Sequence, residues 1–291
     1  MQYWQALGYE HPEDMIEIAR VAEEAGFEGL LLSDHVFAPE RVASAYPYSD
    51  DGTPHFPAGA NFPDALMTIA VLAQHTERLR FATSVYILPL RHPVEVARFV
   101  GSAAVYSNDR AVLGVGAGWM REEFDVLGRG FERRGASMDE AIEVIRKLLS
   151  GEVVEHQGEN WSFPPMRLLP APRRDVPIWM GGHNPAALRR AGRLADGWSG
   201  LGHSFAEAER ILLRLGAIRR EAGRGDRPFD ALVPLVESID ADQRRRLVEL
   251  GMTGSVQYPF PDTIGPGASQ SQKLDHLRRL GDELIAKDRT P

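Results

Sequence analysis

The stretch that decides the fold runs from Val176 to Trp198 and reads V-P-I-W-M-G-G-H-N-P-A-A-L-R-R-A-G-R-L-A-D-G-W. Its first five residues form an apolar run that predicts a short buried strand. Asn184-Pro185 then has the form of a helix N-cap followed by proline at the first helical position. Because Gly181-Gly182 lies between them, the stretch is predicted to form a strand, a glycine turn and a capped helix.

The glycine turn has two interpretations. Gly181 and Gly182 remove side-chain bulk where backbone N–H groups and the positive end of a helix dipole converge, which makes a pocket for a phosphate. A tight strand-to-helix turn that binds nothing would use the same glycines. The first interpretation predicts that this stretch anchors a phosphorylated cofactor, and the rest of the chain has to decide between the two.

Strands and helices alternate on both sides of this stretch. Short apolar runs without polar alternation indicate strands covered on both faces, as in parallel sheets. The predicted strands are 3–7, 29–33, 79–88, 111–115, 176–180, a sixth that ends at Trp198, 232–239 and 255–258. The predicted helices are 12–25, 63–76, 93–106, 137–149, one that begins at Pro185, 205–221, 242–250 and 270–286. About eight strand-helix repeats predict a single-domain α/β (β/α)8 TIM barrel over residues 1–291, with an open doubly wound sheet as the alternative.

Two insertions interrupt the alternation, after the second and fourth strands. Residues 37–62 form a long polar segment with several prolines and the aromatic residues Tyr46, Tyr48 and Phe56. Loops of this length are usually functional or disordered, and the aromatic side chains favour a flap that faces a substrate. Residues 153–163 are predicted to form a small hairpin.

The composition excludes several classes of function. The chain has 291 residues and a formal charge of −8, which disfavours nucleic acid and anionic membranes as partners. It has no cysteine, so disulfides, thiolate nucleophiles and thiolate metal sites are excluded, and no metal site is predicted. The first residues lack a secretory pattern, and no apolar run approaches bilayer length. A soluble cytoplasmic protein is therefore expected.

In a barrel, chemistry belongs to residues at the carboxyl ends of the strands. Asp34 and His35 follow the second strand there, and they are either catalytic groups or a turn-capping carboxylate beside a core histidine. The segment 114–119, G-V-G-A-G-W, superficially suggests a dinucleotide fingerprint but breaks its spacing. Its glycines would instead let a flat ring approach the backbone, with Trp119 either a wall of that site or ordinary packing.

Four segments occur in the order and spacing of one known family: Leu32-Ser33-Asp34-His35, residues 83–93, residues 114–124 and residues 177–198. On these motifs the chain resembles the luciferase-like monooxygenase superfamily, and more closely its F420-dependent oxidoreductase branch. The similarity extends from Tyr3 to about Tyr258. One departure is Asn108-Asp109 before Arg110, where many relatives carry two glycines; both residue types tolerate left-handed turns.

The resemblance assigns roles to particular residues. It implies a non-proline cis peptide at Ser84-Val85 that supports the cofactor ring. It implies that Asp34 hydrogen-bonds the deazaflavin and that His35 lies close to the carbon that exchanges hydride. The remaining residues are expected to border the ring or take the phosphate: Gly116, Ala117, Gly118 and Trp119 for the ring, and Gly181, Gly182, His183 and Asn184 for the phosphate.

Three functions compete. The favoured one is an enzyme that passes hydride between F420 and a small organic substrate. The second is a monooxygenase that uses FMN supplied in reduced form by a separate reductase; the Asp34-His35 pair favours F420, because the FMN branch more often carries Glu-His there. The third is a flavin-binding subunit without turnover. The resemblance also leads us to expect a homodimer.

Overall fold

The computed structural model describes residues 1–49, 51–54, 56–57 and 59–289, with residue 289 described for its backbone alone. Strands and helices alternate along nearly the whole chain, as predicted. In chain order the strands are Gln2–Gly8 (β1), Gly29–Leu32 (β2), Arg80–Thr83 (β3), Tyr86–Ile87 (β4), Ala111–Gly116 (β5), Val154–Gln157 (β6), Ser162–Met166 (β7), Ile178–Gly181 (β8), Gly197–Ser199 (β9), Asp230–Leu232 (β10) and Gly254–Gln257 (β11). The α-helices are Pro12–Glu24 (α1), Ala65–Leu72 (α2), Pro93–Tyr106 (α3), Arg121–Val126 (α4), Arg134–Leu149 (α5), Pro185–Leu194 (α6), Phe205–Glu221 (α7), Ala241–Glu249 (α8), Phe260–Thr263 (α9), Gln270–Leu280 (α10) and Ala286–Arg289 (α11).

The parallel strands close into a barrel. β1 pairs with β2 on one side and with β11 on the other, and β3 pairs with both β2 and β5. From β5 the order continues through β8, β9 and β10 to β11, while the short β4 continues the third barrel strand along β5. The closed order confirms the predicted (β/α)8 barrel and excludes the open doubly wound sheet.

The interior of the barrel is filled by inward-facing side chains. Trp4 and Trp179 meet edge to face with ring centroids 5.1 Å apart, and the guanidinium of Arg80 lies over both rings. A Cβ at Gly29 or Gly197 would come within 2.3 Å of one of these indoles, so both strands need glycine there. A second and larger apolar core lies between the barrel and its helices, as expected for parallel strands buried on both faces.

Most element ends differ from the sequence prediction by a few residues, and three elements differ in more than their ends. The third strand is broken at Ser84-Val85 into β3 and β4. The seventh strand, predicted over 232–239, instead occupies Asp230–Leu232. Pro234, two residues further on, has no N–H for a ladder, and beyond it the pairing continues as an isolated bridge between His203 and Leu235. The last helix continues from α10 through a π-helical turn at Gly281–Ile285 before α11.

Both insertions lie where they were predicted. The described part of residues 37–62 contains no helix or strand, and Asp50, His55 and Ala58 of the predicted flap lie outside the described residues, as do Thr290 and Pro291 of the predicted domain. The predicted hairpin is the antiparallel pair β6 and β7. Among the described residues, no helix has both the length and the apolar character needed to cross a membrane.

Candidate active site

A cavity of about 800 Å³ lies at the carboxyl ends of the barrel strands, which is within the range of roughly 300–1,000 Å³ typical of small-molecule sites. The flap contributes Tyr46, Tyr48 and Phe56 to its lining, and the substrate-facing role of residues 37–62 stays a prediction. All the residues predicted to form the site line this cavity: Asp34, His35, Ser84, Val85, Gly116, Ala117, Gly118, Trp119, Gly181, Gly182, His183 and Asn184.

Asp34 is engaged by protein groups. Its Oδ1 and Oδ2 accept hydrogen bonds from Arg91 at 2.8 and 2.6 Å, and Oδ2 also accepts from the backbone N–H of Ile87 at 2.9 Å. Burial raises the pKa of Asp34, opposed by the charge of Arg91 and by the Ile87 N–H, while the Asp34 carboxylate raises the pKa of Arg91 against the effect of burial. The two-pronged contact with Arg91 makes the pair an ion pair. Asp34 therefore fixes the β4 segment, and Oδ1 keeps one acceptor position for a ligand.

His35 is held by a residue that sequence reasoning missed. Its Nδ1 lies 3.1 Å from Oε2 of Glu123, and Oε1 of the same carboxylate accepts the backbone N–H of Val36 at 2.7 Å. Glu123 is completely buried in α4. A carboxylate oxygen accepts hydrogen bonds, so Nδ1 is the donor and Nε2 is left without a hydrogen bond among the described residues. The acidic pair Glu122-Glu123 lies within the segment 114–124, but nothing in the sequence links it to His35.

Aromatic side chains surround the His35 ring. Phe56, Phe62 and Trp119 lie with their ring centroids 5.2, 5.0 and 6.0 Å from it. Trp119 thus lines the cavity beside His35, and its role as a wall for a bound ring stays a prediction. Apolar surroundings of this kind lower the local dielectric constant and strengthen electrostatic interactions of the histidine.

The flap is tied to the barrel by the neighbour of Glu123. Oε1 of Glu122 accepts the backbone N–H groups of Ala43 and Ser44 at 2.6 and 3.0 Å, and Oε2 accepts the Ser44 hydroxyl at 2.7 Å. Consecutive carboxylates of α4 therefore hold two parts of the segment after β2, one at His35 and one at the start of the flap.

The predicted cis peptide at Ser84-Val85 is present. Val85 packs into the space left by two glycines, because a Cβ at Gly116 or at Gly181 would come within 2.4 Å of one of its methyl groups. The sequence interpretation that Gly116 clears space for a flat ring is therefore corrected: Gly116 and Gly181 clear space for Val85.

The turn between β8 and α6 has the form predicted. Gly182 adopts a φ of +88°, and the side chain of Asn184 accepts the backbone N–H of Ala187 at 2.9 Å as the N-cap of α6. Pro185 follows the cap, so the first turn of the helix opens into the cavity beside Asn184 and Ala186. The carbonyl of Gly182 accepts a hydrogen bond from Nε1 of Trp198 at 2.8 Å, and this bond fixes the turn to β9.

Two histidines lie beside this turn. The ring of His183 lies between those of Tyr48 and His203, each with a centroid 5.1 Å away, and His203 stacks on Trp198. Burial, together with the neighbouring His183, lowers the pKa of His203 to about 4, and burial also lowers the pKa of His183. Both rings are therefore neutral near pH 7.

Two arginines that the sequence analysis did not single out also line the cavity. Arg134 stacks on Phe131 with its Cζ 3.7 Å from the ring centroid, and Arg190 donates from Nε to Asp139 at 2.6 Å. In the part of the chain that the structure describes, no group of three or more His, Asp or Glu side chains is placed to hold a metal ion.

A closed parallel barrel with a histidine and a glycine turn in one cavity at the carboxyl ends of its strands has the arrangement of a barrel enzyme. The sequence profile of the luciferase-like monooxygenase family matches residues 2–285, and the chain belongs to that family.

Named relatives agree with this membership. An uncharacterized protein of Mycobacterium tuberculosis is 37% identical over 274 residues, which cover 94% of each chain. An F420-dependent glucose-6-phosphate dehydrogenase of Tsukamurella paurometabola is 31% identical over 94% of this chain and 77% of its own. Among solved structures, the coenzyme F420-dependent tetrahydromethanopterin reductase of Methanopyrus kandleri superposes with a TM-score of 0.74 at 17% identity over 98% of both chains.

Proposed function

We propose that the protein is an F420-dependent oxidoreductase that transfers hydride between coenzyme F420 and a small organic substrate. The single observation that carries this proposal is the His35–Glu123 pair, which leaves Nε2 free in the same cavity as the Gly181-Gly182 turn. The F420-dependent dehydrogenase that is 31% identical over nearly the whole chain supports the choice of cofactor.

The residues present fit this cofactor. The positive φ of Gly182 and the open first turn of α6 form a cradle for a phosphate, which a larger side chain would fill. Val85, with Gly116 and Gly181 behind it, forms an apolar surface that would support a ring. The remaining acceptor position of Asp34 Oδ1 suits a ring N–H. When bound, F420 supplies a two-electron donor or acceptor of hydride.

The protein itself provides the group that accepts or donates the proton and the apolar surroundings of that group. When a substrate is oxidised, it loses a hydride and a proton together, and Nε2 of His35 accepts that proton. When a substrate is reduced, the protonated imidazole of His35 donates a proton to the substrate. Glu123 holds Nδ1 as the donor and stabilises the charge that develops on the ring, while Trp119 and Phe56 keep water away.

Parallel titrations of the purified protein with F420 and FMN test the proposal. We expect F420 to bind more tightly, as followed by its fluorescence. Equal or reversed affinities would instead support the FMN-dependent monooxygenase, which needs a reductase partner. Tight binding of F420 with no reduction of F420 across a panel of alcohols and sugar phosphates would support the non-catalytic subunit.

A homodimer is a further part of the proposal. Neighbouring helices α2 and α3 carry large apolar side chains that are about half exposed or more: Met67, Val71, Phe99 and Tyr106. A second copy of the chain would cover them. Sedimentation of the wild-type protein and of Val71→Glu tests this; a monomeric wild type would contradict it.

A further inference from the structure

The cavity has a second cationic region, formed by Arg134 and Arg190 on different helices. Arg134 begins α5, and Arg190 lies near the middle of α6 with Nη2 2.4 Å from the position that a Cβ on Gly135 would occupy. The guanidinium of Arg190 therefore lies against the first turn of α5. Both side chains line the cavity together with Gly135.

The charges in this region are incompletely paired. Arg134 donates from Nε to the carbonyl of Gly118 and from Nη1 to that of Phe131, both of which are neutral groups. Arg190 uses Nε for Asp139, whose side chain is 39% exposed, so this pair is partly screened. Among the described residues, neither Nη2 of Arg134 nor the Nη atoms of Arg190 make a hydrogen bond.

Further features favour an anion between these arginines. Burial lowers the pKa of Arg134, and the nearby charges of Arg121 and Arg190 lower it further, opposed by Glu132. The arginines thus repel each other. In addition, Arg133, the N-cap residue of α5, makes no side-chain cap hydrogen bond, and the positive end of the helix dipole lies beside Arg134 and Gly135.

This region differs from the turn before α6. The neighbours of Gly182 are Ala187 and Tyr48, whereas those of the arginines are Gly118, Phe131, Gly135 and Asp139. One cavity therefore presents two groups of anion-binding features. A ligand that uses both must carry negative charge at more than one place along its length.

We propose that Arg134 and Arg190 bind a carboxylate that the cofactor carries beyond its phosphate. This inference rests on the proposed function. F420 bears a carboxylate-containing chain attached to its phosphate, whereas FMN ends at its phosphate. The arginine pair therefore distinguishes the two cofactors by the part of the molecule that is remote from the ring.

The test is a set of fluorescence titrations with Arg190→Gln and with Arg189→Gln as the matched control. Arg189 lies on the same helix, is exposed, and borders a surface groove instead of the cavity. The ligands are F420, FMN and the deazaflavin that lacks both the phosphate and the chain. Thermal unfolding of both variants establishes that each is folded.

We expect Arg190→Gln to lower the affinity for F420 by about tenfold, the loss typical of one charge-assisted hydrogen bond. The affinities for FMN and for the truncated deazaflavin should stay unchanged. The dependence of F420 affinity on salt should also become weaker, while Arg189→Gln matches wild type. Equal weakening of F420 and FMN would overturn the inference, because the pair would then bind the phosphate itself. Unchanged F420 affinity in Arg190→Gln would also overturn it. Failure of the wild-type protein to bind F420 overturns the proposed function as well, so the two failures are distinguishable.

Discussion

Nδ1 of His35 is fixed by the carboxylate of Glu123, a residue 88 positions further along the chain, at 3.1 Å. This contact determines which nitrogen of the ring is available to a substrate, and it connects the loop after β2 to helix α4. In the proposed function, His35 is the group that moves a proton and Glu123 is the group that orients it.

Replacement of His35 by alanine should slow hydride transfer by about 10²–10⁴-fold, the usual contribution of a positioned acid or base. Affinity for F420 should change little, because the proposed function assigns the phosphate and the ring to other residues. Single-turnover absorbance measurements on a substrate that reduces F420 give the rate, and His75→Ala, at an exposed position, is the control. A rate near that of wild type would make His35 a core histidine.

Replacement of Glu123 by glutamine keeps the size of the side chain and an acceptor for the Val36 N–H but removes the charge. We expect kcat to fall at unchanged F420 affinity, because the ring loses the group that stabilises its positive charge. The control is Glu122→Gln, which touches the flap but not His35. If Tm falls while kcat is retained, Glu123 has only a structural role.

Substitution of Gly116 by alanine should destabilise the fold by about 1–3 kcal/mol, because the new methyl group meets the stiff side chain of Val85. Urea unfolding measures the change. Gly130→Ala is the control, since a Cβ there has no neighbour within 4 Å and the backbone there is not left-handed. Equal stabilities of the two variants would show that Val85 moves aside without cost.

Substitution of Gly182 by valine should lower the affinity for F420 by about tenfold or more. The affinity for the deazaflavin that lacks the phosphate should stay unchanged. Valine narrows the cradle and disfavours the φ of +88°. Gly128→Val separates the two effects, because Gly128 also has a positive φ but does not line the cavity. Equal weakening of both ligands would place the phosphate elsewhere.

The buried His203 should make the protein less stable in mild acid. Its pKa is about 4 in the folded state and near 6.5 when exposed, so between these pH values the unfolded chain binds the extra proton. Its contribution to the free energy of unfolding therefore falls as pH decreases from 6.5 and levels off below about 4. His203→Phe keeps the stacking on Trp198 and should show a smaller loss of stability between pH 7 and pH 5 in urea unfolding. An identical loss in both proteins would contradict the assignment.

The barrel could be predicted from the sequence because the patterns that mark its strands and helices are local. Apolar runs, the Asn184-Pro185 cap and glycine stops each act within a few residues, and their alternation implies a closed parallel sheet. The seventh strand was misplaced because the apolar run 232–236 contains Pro234, which ends the ladder although its neighbours favour strand.

The predicted site residues all line the cavity, but their partners could not be found from one sequence. Arg91 pairs with Asp34 across 57 positions and Glu123 with His35 across 88, and no local periodicity reports such distances. Gly116 was misinterpreted for a related reason, because a missing side chain does not reveal which neighbour occupies its space.

The anchoring of the flap by Glu122 and of His35 by Glu123 has a consequence for protein engineering. A loop transplanted from a relative to change substrate preference would bring new residues 37–62 while α4 stayed behind. The Glu122 attachment would then meet unmatched backbone at positions 43 and 44, whereas Glu123 would keep its contacts with His35 and Val36. The unit to exchange is therefore discontinuous in sequence: the segment after β2 and helix Arg121–Val126 have to be transferred together.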